Sequence, residues 1–230
     1  MCTSWNVRLQ TNSASGTPSG AGFAAWRIFC YVRQWSKWKE AAVAKPLIVG
    51  RKEFAKIYNV APTAVSDRWV PAGILSYEDA VIVSGKPFWP GGLAVDFALP
   101  PGSRGRQLDE RLLAELEKEQ EATVRPMKKG ELPPLVGLQE YGALFNVSQY
   151  MAANARNRGG GMLPTEDYFL SGSPLWLLDT VLEAAESTME KSRGGVWQLQ
   201  QDVVDALREG RYDGPGSVIT KRGKAASSES

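Results

Sequence analysis

The sequence predicts a mainly α-helical protein with small β-hairpins, built from one unit that occurs twice, the two copies being joined by a charged helical linker. The first observation is a recurring phrase, VSGKPFW at residues 83–89 and LSGSPLW at residues 170–176, in which Ser84 and Ser171 stand 171 − 84 = 87 positions apart. The second is a longer match at the same offset, between LIVGRKEFAKIYNVAPTAV (47–65) and PLVGLQEYGALFNVSQYMA (134–152). Agreement of spacing and residue class over such lengths is typical of a duplicated unit.

The first predicted element of each copy is a short helix. Its apolar side chains recur at i, i+3 and i+4, which places them on one face. They are Phe54, Ile57 and Tyr58 in copy one and Tyr141, Leu144 and Phe145 in copy two. Glu53 and Glu140 fall in the first turn, where a carboxylate meets the positive end of the helix dipole.

A tight turn then leads into a second helix. Asn59 and Asn146 are predicted to end the first helix, because asparagine tolerates the left-handed conformation that a tight turn needs. Pro62 suits the first position of a new helix, and Ser148 is a ready N-cap. Each copy is therefore predicted to begin as helix, short turn, helix.

A β-hairpin follows the helix pair. In copy one the β-branched run Val81–Val83 leads into the turn residues Ser84 to Lys86, and the chain returns through Pro87. Such residues favour strands, and proline is tolerated on the edge strand that a two-stranded hairpin provides. Trp89 and Trp176 close the two hairpins and are expected to anchor them in the cores. A third helix is predicted next, through Leu93, Val95 and Phe97 in copy one and Leu178, Val181 and Leu182 in copy two.

The string VGRKEFAKIYNVAPTAVSDRWVPAGIL…VSGKPFW resembles the winged helix-turn-helix domains of the excisionase and AlpA-like group within the MerR superfamily, which are small DNA-binding domains of bacterial, plasmid and phage proteins. The resemblance covers Leu47–Ala98 and Leu135–Ala185 and does not extend to the coiled-coil or effector domain of full MerR regulators. It implies two winged helix-turn-helix domains. In such domains the second helix enters the major groove and the hairpin, or wing, reaches the flanking backbone.

This resemblance, with the side-chain chemistry, gives the candidate DNA contacts. Val65 and Trp69 of copy one, and Met151 and Ala155 of copy two, are spaced to face inward, which turns the polar side chains of both second helices outward. Hydroxyl and amide groups suit bases, and cations suit phosphates or guanine. The candidates are Arg51, Lys52, Thr63, Ser66, Asp67, Arg68 and Lys86 in copy one and Gln149, Tyr150, Asn154, Arg156, Asn157, Arg158 and Ser173 in copy two.

The charge distribution points in the other direction. Residues 46–99 hold five basic and five acidic side chains, whereas residues 135–186 hold only Arg156 and Arg158 against six acids. Because phosphate neutralisation supplies most non-specific affinity, an acidic module is a poor isolated DNA binder. The alternative for copy two is that it keeps the fold and serves dimerisation or another protein.

The flanks of the two copies (46–99 and 135–186) complete the predicted organisation. Residues 1–22 are rich in Ser, Thr, Gly and Asn and are predicted to be disordered. Residues 23–45 are predicted to form a basic, Trp-bearing amphipathic helix that could lie on a membrane, stack on nucleic acid or dock on copy one.

Two further helical segments follow. The linker, residues 100–134, contains a charged helix with leucines on one side, which suits either a semi-rigid spacer or a short self-association seam through Leu108, Leu112 and Leu116. Residues 187–212 form a C-terminal helix that packs on copy two or mediates self-association. Residues 213–230 are predicted to be a flexible tail.

Several function classes find little support. The chain has no histidine, which removes the commonest general base and metal ligand, and its 2 cysteines make no zinc site or disulfide framework. Gly159 to Gly161 lack the lysine of a phosphate loop. No enzyme activity, cofactor or metal is therefore predicted. No apolar run is long enough for a membrane span, and a cytoplasmic location is expected.

The leading expectation is a protein that binds double-stranded DNA and reads two subsites, as a phage or mobile-element regulator or a recombination accessory factor. The alternative is a protein-interaction or assembly adaptor of the small-terminase kind, in which the winged domains mainly bind protein.

Overall fold

The computed structural model describes residues 44–100, 105–158 and 161–219. The predicted disordered N-terminus, nearly all of the predicted amphipathic helix and residues 220–230 lie outside the described residues. We call residues 44–131 unit one and residues 132–219 unit two. Both belong to a single compact body, so the two sequence copies are not separate domains.

The helices and strands follow the same order in the two units as far as the third helix of each, after which unit two has one additional helix before its last one. Unit one contains β1 (Ile48–Gly50), α1 (Arg51–Ile57), α2 (Pro62–Ala64) continued by a π-helical turn (Val65–Trp69), β2 (Val81–Val83), β3 (Lys86–Pro90), α3 (Gly91–Asp96), α4 (Glu110–Gln120) and a 3-10 turn (Lys129–Glu131). Unit two contains β4 (Leu135–Val136), α5 (Leu138–Leu144), α6 (Gln149–Asn157), β5 (Tyr168–Leu170), β6 (Ser173–Leu177), α7 (Leu178–Glu183), α8 (Ala185–Lys191), a 3-10 turn (Arg193–Gly195) and α9 (Gln201–Arg208).

Each predicted hairpin carries a third strand. The antiparallel sheets have the orders β1-β3-β2 and β4-β6-β5, so the chain is mixed α/β and not mainly α. The apolar residues just before α1 and α5 form the added strands, which are too short to show a strand pattern in the sequence. Although β3 is central, β1 ends at Gly50 opposite Phe88, so Pro87 pairs only with Ile82 of β2. The proline thus keeps an edge position, where its missing N–H breaks no ladder.

The predicted turn chemistry is confirmed. Asn59 and Asn146 have φ values of 51° and 52°, in the left-handed region. Pro62 opens α2, and the Ser148 side chain accepts a hydrogen bond from the Met151 N–H at 3.2 Å. The hairpin turns, Ser84–Gly85 and Ser171–Gly172, have positive φ at both residues, as a two-residue type I′ turn requires.

Each unit has its own core, and the predicted tryptophan anchors are confirmed in both. Trp89 and Trp176 are fully buried. Their indole N–H groups donate to the carbonyls of Ser76 (2.9 Å) and Pro164 (3.0 Å). The hairpins are therefore fixed to the helices by one packed and hydrogen-bonded side chain each.

The linker helix is part of unit one, so the prediction of a spacer is wrong. Leu113 and Leu116 of α4 are buried in the core of unit one, and Leu108 and Leu112 pack against that core. The stripe proposed for self-association is thus covered within the chain. The Asp109 N–H donates to the carbonyl of Ile57 at 2.8 Å. The leucines of α4 pack against the apolar residues of α1.

The C-terminal helix predicted over 187–212 is α9, which covers only Gln201–Arg208 and packs on unit two in the equivalent place. Val204 and Leu207 of α9 are buried in that core. The Gln200 N–H donates to the carbonyl of Leu144 at 2.8 Å. Leu144 is the counterpart of Ile57, so α4 and α9 are equivalent elements and the repeat is longer than the sequence match suggests.

A third core joins the two sheets. Its buried apolar side chains come from both units and are Ile48, Val83, Phe88, Leu132, Leu135, Tyr168, Leu170 and Leu175. The outer edge of β1 is covered by α4, whose buried Gln120 amide exchanges hydrogen bonds with the Ile48 N–H (3.0 Å) and C=O (2.7 Å). Within the three described ranges, no helix is long and apolar enough to cross a membrane.

Candidate nucleic-acid interface

Both hairpin turns lie at the junction between the units. The Ser84 N–H and hydroxyl donate to the Glu140 carboxylate at 2.7 Å each. The Ser171 N–H and hydroxyl donate in the same way, also at 2.7 Å, to the carboxylate of Glu53. Each turn thus docks on the first helix of the other unit, and the two contacts are related by the 87-residue repeat.

The two contacts are tight because glycine stands at the start of each first helix. A side chain on Gly50 would place its Cβ 2.5 Å from the Ser171 hydroxyl, and one on Gly137 would place it 2.4 Å from the Ser84 hydroxyl. These distances are shorter than any non-bonded contact, so only glycine leaves room for the hairpin turn of the other unit. The glycine pair is present in the sequence match, but its role becomes clear only when both units are seen together.

The electrostatics differ between the two halves of the junction. Burial raises the pKa of the Glu140 carboxyl above its ordinary range, while the hydrogen bonds from Ser84 act in the opposite direction. Glu140 is buried and Glu53 only half-buried. The unit-two carboxylate is therefore the more desolvated of the pair.

Two candidate contacts, Lys86 and Ser173, lie at this junction and not beside the second helices. The Lys86 ammonium donates to the Ser173 hydroxyl and, at 3.4 Å, to the carbonyl of Ser171. Both residues are half-buried. Lys86 and Ser173, the predicted DNA contacts of the two wings, instead pack between the units. The sequence of one copy alone does not show that its hairpin turn contacts the other unit.

The second helix of unit one presents a short polar face. Val65 and Trp69 are buried, as predicted, and Thr63, Asp67 and Arg68 are exposed. The Ser66 hydroxyl donates to the Asp67 carboxylate at 2.8 Å. Two more candidates, Arg51 and Lys52, are exposed in the first turn of α1. Seven of the fourteen candidates belong to unit one, and all but Lys86 lie on its helix pair.

The second helix of unit two presents a larger face. Gln149, Tyr150, Asn157 and Arg158 are exposed and Asn154 is half-buried. Tyr150, the one aromatic residue among the candidate contacts, is 75% exposed.

The inward face of α6 differs by one position from the expectation. Met151 is 39% exposed, so its prediction as a core residue is wrong, and Ala152 is fully buried instead. Ala155 packs against the core as expected. Ala152 is the residue 87 positions after Val65, so the repeat offset identifies the buried position better than the helical spacing of apolar residues in α6 alone.

Arg156 is half-buried and is engaged by residues of its own unit. Its guanidinium pairs with the Glu166 carboxylate at 2.6 Å and lies 5.6 Å from the centre of the Phe169 ring. Its Nε is buried without a hydrogen-bond partner, and the pair lowers the pKa of Glu166. Arg156 occupies the sequence position of Trp69 in unit one, whereas the tryptophan that packs on Tyr141 and Phe145 in unit two is Trp197.

Phe169 is a surface residue that the sequence analysis missed. It is 59% exposed, between Tyr168 and Leu170, which are buried in the shared core. Its counterpart in unit one, Ile82, packs against the core of that unit. The alternation of strand faces could have separated Phe169 from its two buried neighbours.

A shallow groove lies at the turn of each helix pair. In unit one it is lined by Val60, Ala61, Thr63, Ala64, Asp67 and Arg68. In unit two it is lined by Gln139, Gly142, Ala143, Asn146, Val147, Ser148, Gln149 and Pro215. Within the described part of the chain, no group of three or more acidic or cysteine side chains could hold a metal ion.

No protein-family model matches this chain, and no match was found among curated proteins or solved structures. The interpretation of the interface therefore depends on the geometry of the chain itself.

Proposed function

We propose that the chain binds double-stranded DNA through two winged helix-turn-helix units that read two neighbouring subsites. The observation that carries this proposal is the reciprocal junction. It holds the two helix pairs in one packed body, while the polar faces of both second helices stay exposed. A fused pair of this kind does in one chain what two-fold dimers of helix-turn-helix proteins do with two.

The two second helices favour different subsites. Unit one offers the Thr63 hydroxyl for base contacts and the cations Arg51, Lys52 and Arg68 for phosphates. Unit two offers Asn154 and Asn157, whose amides suit adenine, and Arg158, which suits guanine or phosphate. Lys86, Ser173 and Arg156 are omitted from this contact set because each has partners inside the body.

Selection of bound duplexes from a randomised library, followed by titration across salt concentrations, tests the proposal. We expect a two-part motif and an affinity that falls steeply with salt. Asn154→Ala combined with Arg158→Ala should relax base preference in one part only. Arg156→Gln is the matched control and should leave both motif and salt dependence unchanged. Absence of enrichment and of salt-dependent binding would contradict the proposal.

A protein-binding role is the second candidate, and the surface of unit two favours it. Tyr150, Met151 and Phe169 are exposed there, in a region where acids outnumber bases. An assembly adaptor would use such apolar surface and would form rings. Light scattering of the full chain distinguishes the two roles, since a ring favours the adaptor and a monomer or dimer favours the DNA reader.

A further inference from the structure

The chain after α9 covers one of the two hairpin turns at the junction. We call residues 211–219 the strap. Tyr212 packs on the core of unit two, and the carbonyl of Gly216 accepts the N–H of Gly85, in the turn of unit one, at 2.8 Å. Gly85 is buried. The first part of the predicted flexible tail is therefore fixed, and we call Ser84–Gly85 the covered turn.

The strap lies directly on the covered turn. Gly216 has a φ of 92°, and a Cβ on it would lie 3.0 Å from the Ser84 Cα and 3.1 Å from the Gln139 Cβ. The same Cβ would collide with the Glu140 carboxylate. Only glycine therefore brings the backbone carbonyl close enough to accept the N–H of the turn.

The other turn, Ser171–Gly172, has no such cover, and we call it the open turn. Gly172 is exposed, and no acceptor for its N–H is found among the described residues. Gly172 is the counterpart of Gly85 at the 87-residue offset, and both have positive φ, at 73° and 72°. The bond from Gly85 to the strap shows that an N–H at this place of the turn can bind an acceptor. The open turn presents the same donor to solvent.

Lysines of unit one lie beside the open turn. The Lys52 ammonium is 3.6 Å from the place where a Cβ on Gly172 would stand, and the Lys52 N–H donates to the Ser171 hydroxyl at 3.0 Å. The Lys86 ammonium donates to the carbonyl of Ser171 at 3.4 Å. Arg51, next to Lys52, is exposed in the first turn of α1. Three cations therefore accompany the exposed N–H.

The repeat carries a neutral residue in place of each of these cations at the covered turn. The corresponding pairs are Arg51 and Leu138, Lys52 and Gln139, and Lys86 and Ser173. Each turn also has one glutamate, Glu53 at the open turn and Glu140 at the covered turn. The positive charge thus exceeds the negative charge only at the open turn. A neutral carbonyl satisfies the covered turn, whereas the open turn suits an anion.

On the basis of the proposed DNA binding, we propose that the open turn binds a phosphate group of the DNA backbone. The Gly172 N–H donates to a phosphate oxygen, as the Gly85 N–H donates to the strap, and the Lys52 ammonium makes the second contact. Lys86 keeps its partners inside the body and adds its charge to the site. The donor comes from unit two and the cation from unit one, so the site exists only while the units are packed together.

Amide NMR of the full ¹⁵N-labelled chain tests the site with two probes, the selected DNA duplex and inorganic phosphate at equal ionic strength. The Gly172 amide proton should move downfield with the duplex, because it gains a hydrogen bond to an anion. The Gly85 amide, already bonded to the strap, is the matched control in the same sample and should not move. A Gly172 shift with inorganic phosphate but not with the duplex would overturn the DNA backbone as the source. No shift with either probe would overturn the site.

A charge placed on the open turn tests the same contact by affinity. Asparagine and aspartate both tolerate a left-handed conformation, so Gly172→Asn and Gly172→Asp keep the turn comparably and differ only in charge. The aspartate should exclude the phosphate and lower the magnitude of the slope of log K against log salt by about 0.9 relative to the asparagine. Gly194→Asp is the control, at a φ of 79° with no atom within 4 Å of its Cβ. An equal loss there would overturn the site, because net charge alone would then explain it.

A pair of lysine variants tests whether the turn must be open. Lys52→Gln should lower the magnitude of the slope by about 0.9, whereas Gln139→Lys, which adds a cation at the covered turn, should leave it unchanged. A gain in Gln139→Lys equal to the loss in Lys52→Gln would overturn that requirement. Thermal unfolding checks that every variant folds. A wild-type chain with no salt-dependent DNA binding contradicts the proposed function itself. A wild-type chain that binds DNA with its Gly172 amide unmoved overturns only the phosphate site.

Discussion

The two units share one scaffold but expose different surfaces. The residues that make the junction are the same in both, with a glycine, a glutamate and a turn serine each 87 positions apart. Other equivalent positions differ, most clearly where buried Trp69 of unit one corresponds to half-buried Arg156 of unit two. The residues that repeat at the 87-residue offset are those that pack the units together. The binding chemistry must therefore be inferred for each unit separately.

The difference at this position extends to its neighbours. Trp69 joins an aromatic cluster with Phe54, Tyr58 and Phe97, at ring-centre distances of 5.0–6.0 Å. Arg156 instead makes one ion pair, and Trp197 takes the place of a tryptophan against Tyr141 and Phe145. Both cores therefore contain an aromatic cluster, and unit two in addition exposes Phe169 on its surface.

The largest expected effect concerns this pair of positions. Trp69→Ala should lower the free energy of unfolding by about 3–5 kcal/mol, because a large buried aromatic side chain is removed. Arg156→Ala should cost no more than about 1 kcal/mol, because its ion pair is partly exposed. Urea unfolding of both variants measures the difference. Equal losses in the free energy of unfolding would show that Arg156 stabilises unit two as much as Trp69 stabilises unit one.

The next largest effect tests the junction. Glu140→Ala should cost about 1–3 kcal/mol, since it leaves the donors of the Ser84 turn without an acceptor. A double-mutant cycle with Ser84→Ala should give a coupling on the order of 0.5–3 kcal/mol. The cycle at Glu53 and Ser171 is the matched control and should give the smaller value, because Glu53 is less buried. A coupling of zero at Glu140 would mean that the turns do not hold the units together.

A pH series sharpens the same comparison. The raised pKa of Glu140 means that the folded state binds its proton more tightly than the unfolded state does. Its stabilising contribution is therefore fully present below the ordinary pKa of about 4.3 and is lost as pH rises through the raised value. Relative to Glu140→Gln, which does not titrate, the wild type should lose stability as the pH rises from about 4.3 through the raised pKa of Glu140. Parallel curves, or the opposite sign, would contradict the burial effect.

Local chemistry was predictable from the sequence where one copy was sufficient. The left-handed asparagines, the Ser148 cap and the buried tryptophans follow from residue type and spacing. The strands β1 and β4 were not predictable, because two or three residues show no alternation. The packing of α4 on unit one was not predictable, because a row of leucines on a helix does not indicate which surface it packs against.

The candidate interface was predictable only in part for a related reason. Each hairpin resembled a solvent-facing wing because its partner, the opposite unit, lies 87 residues away in the chain. Residue type therefore predicts Lys86 and Ser173 as DNA contacts, although they face each other. An arginine on a second helix suits DNA, but the partner of Arg156, Glu166, comes from a loop whose path the sequence does not reveal.

The smallest expected effect tests the register of α6, on which the whole reading face of unit two depends. Met151→Gln should change the free energy of unfolding by no more than about 0.5 kcal/mol, because the side chain is largely in solvent. If Met151 faced the core instead, the change would cost on the order of 2–5 kcal/mol. Ala152→Gln is the matched control and should destabilise strongly, because it places an amide at a fully buried position. Thermal and urea unfolding of the two variants decide the register. The reverse order would turn Tyr150, Asn154 and Arg158 away from the face proposed to read DNA.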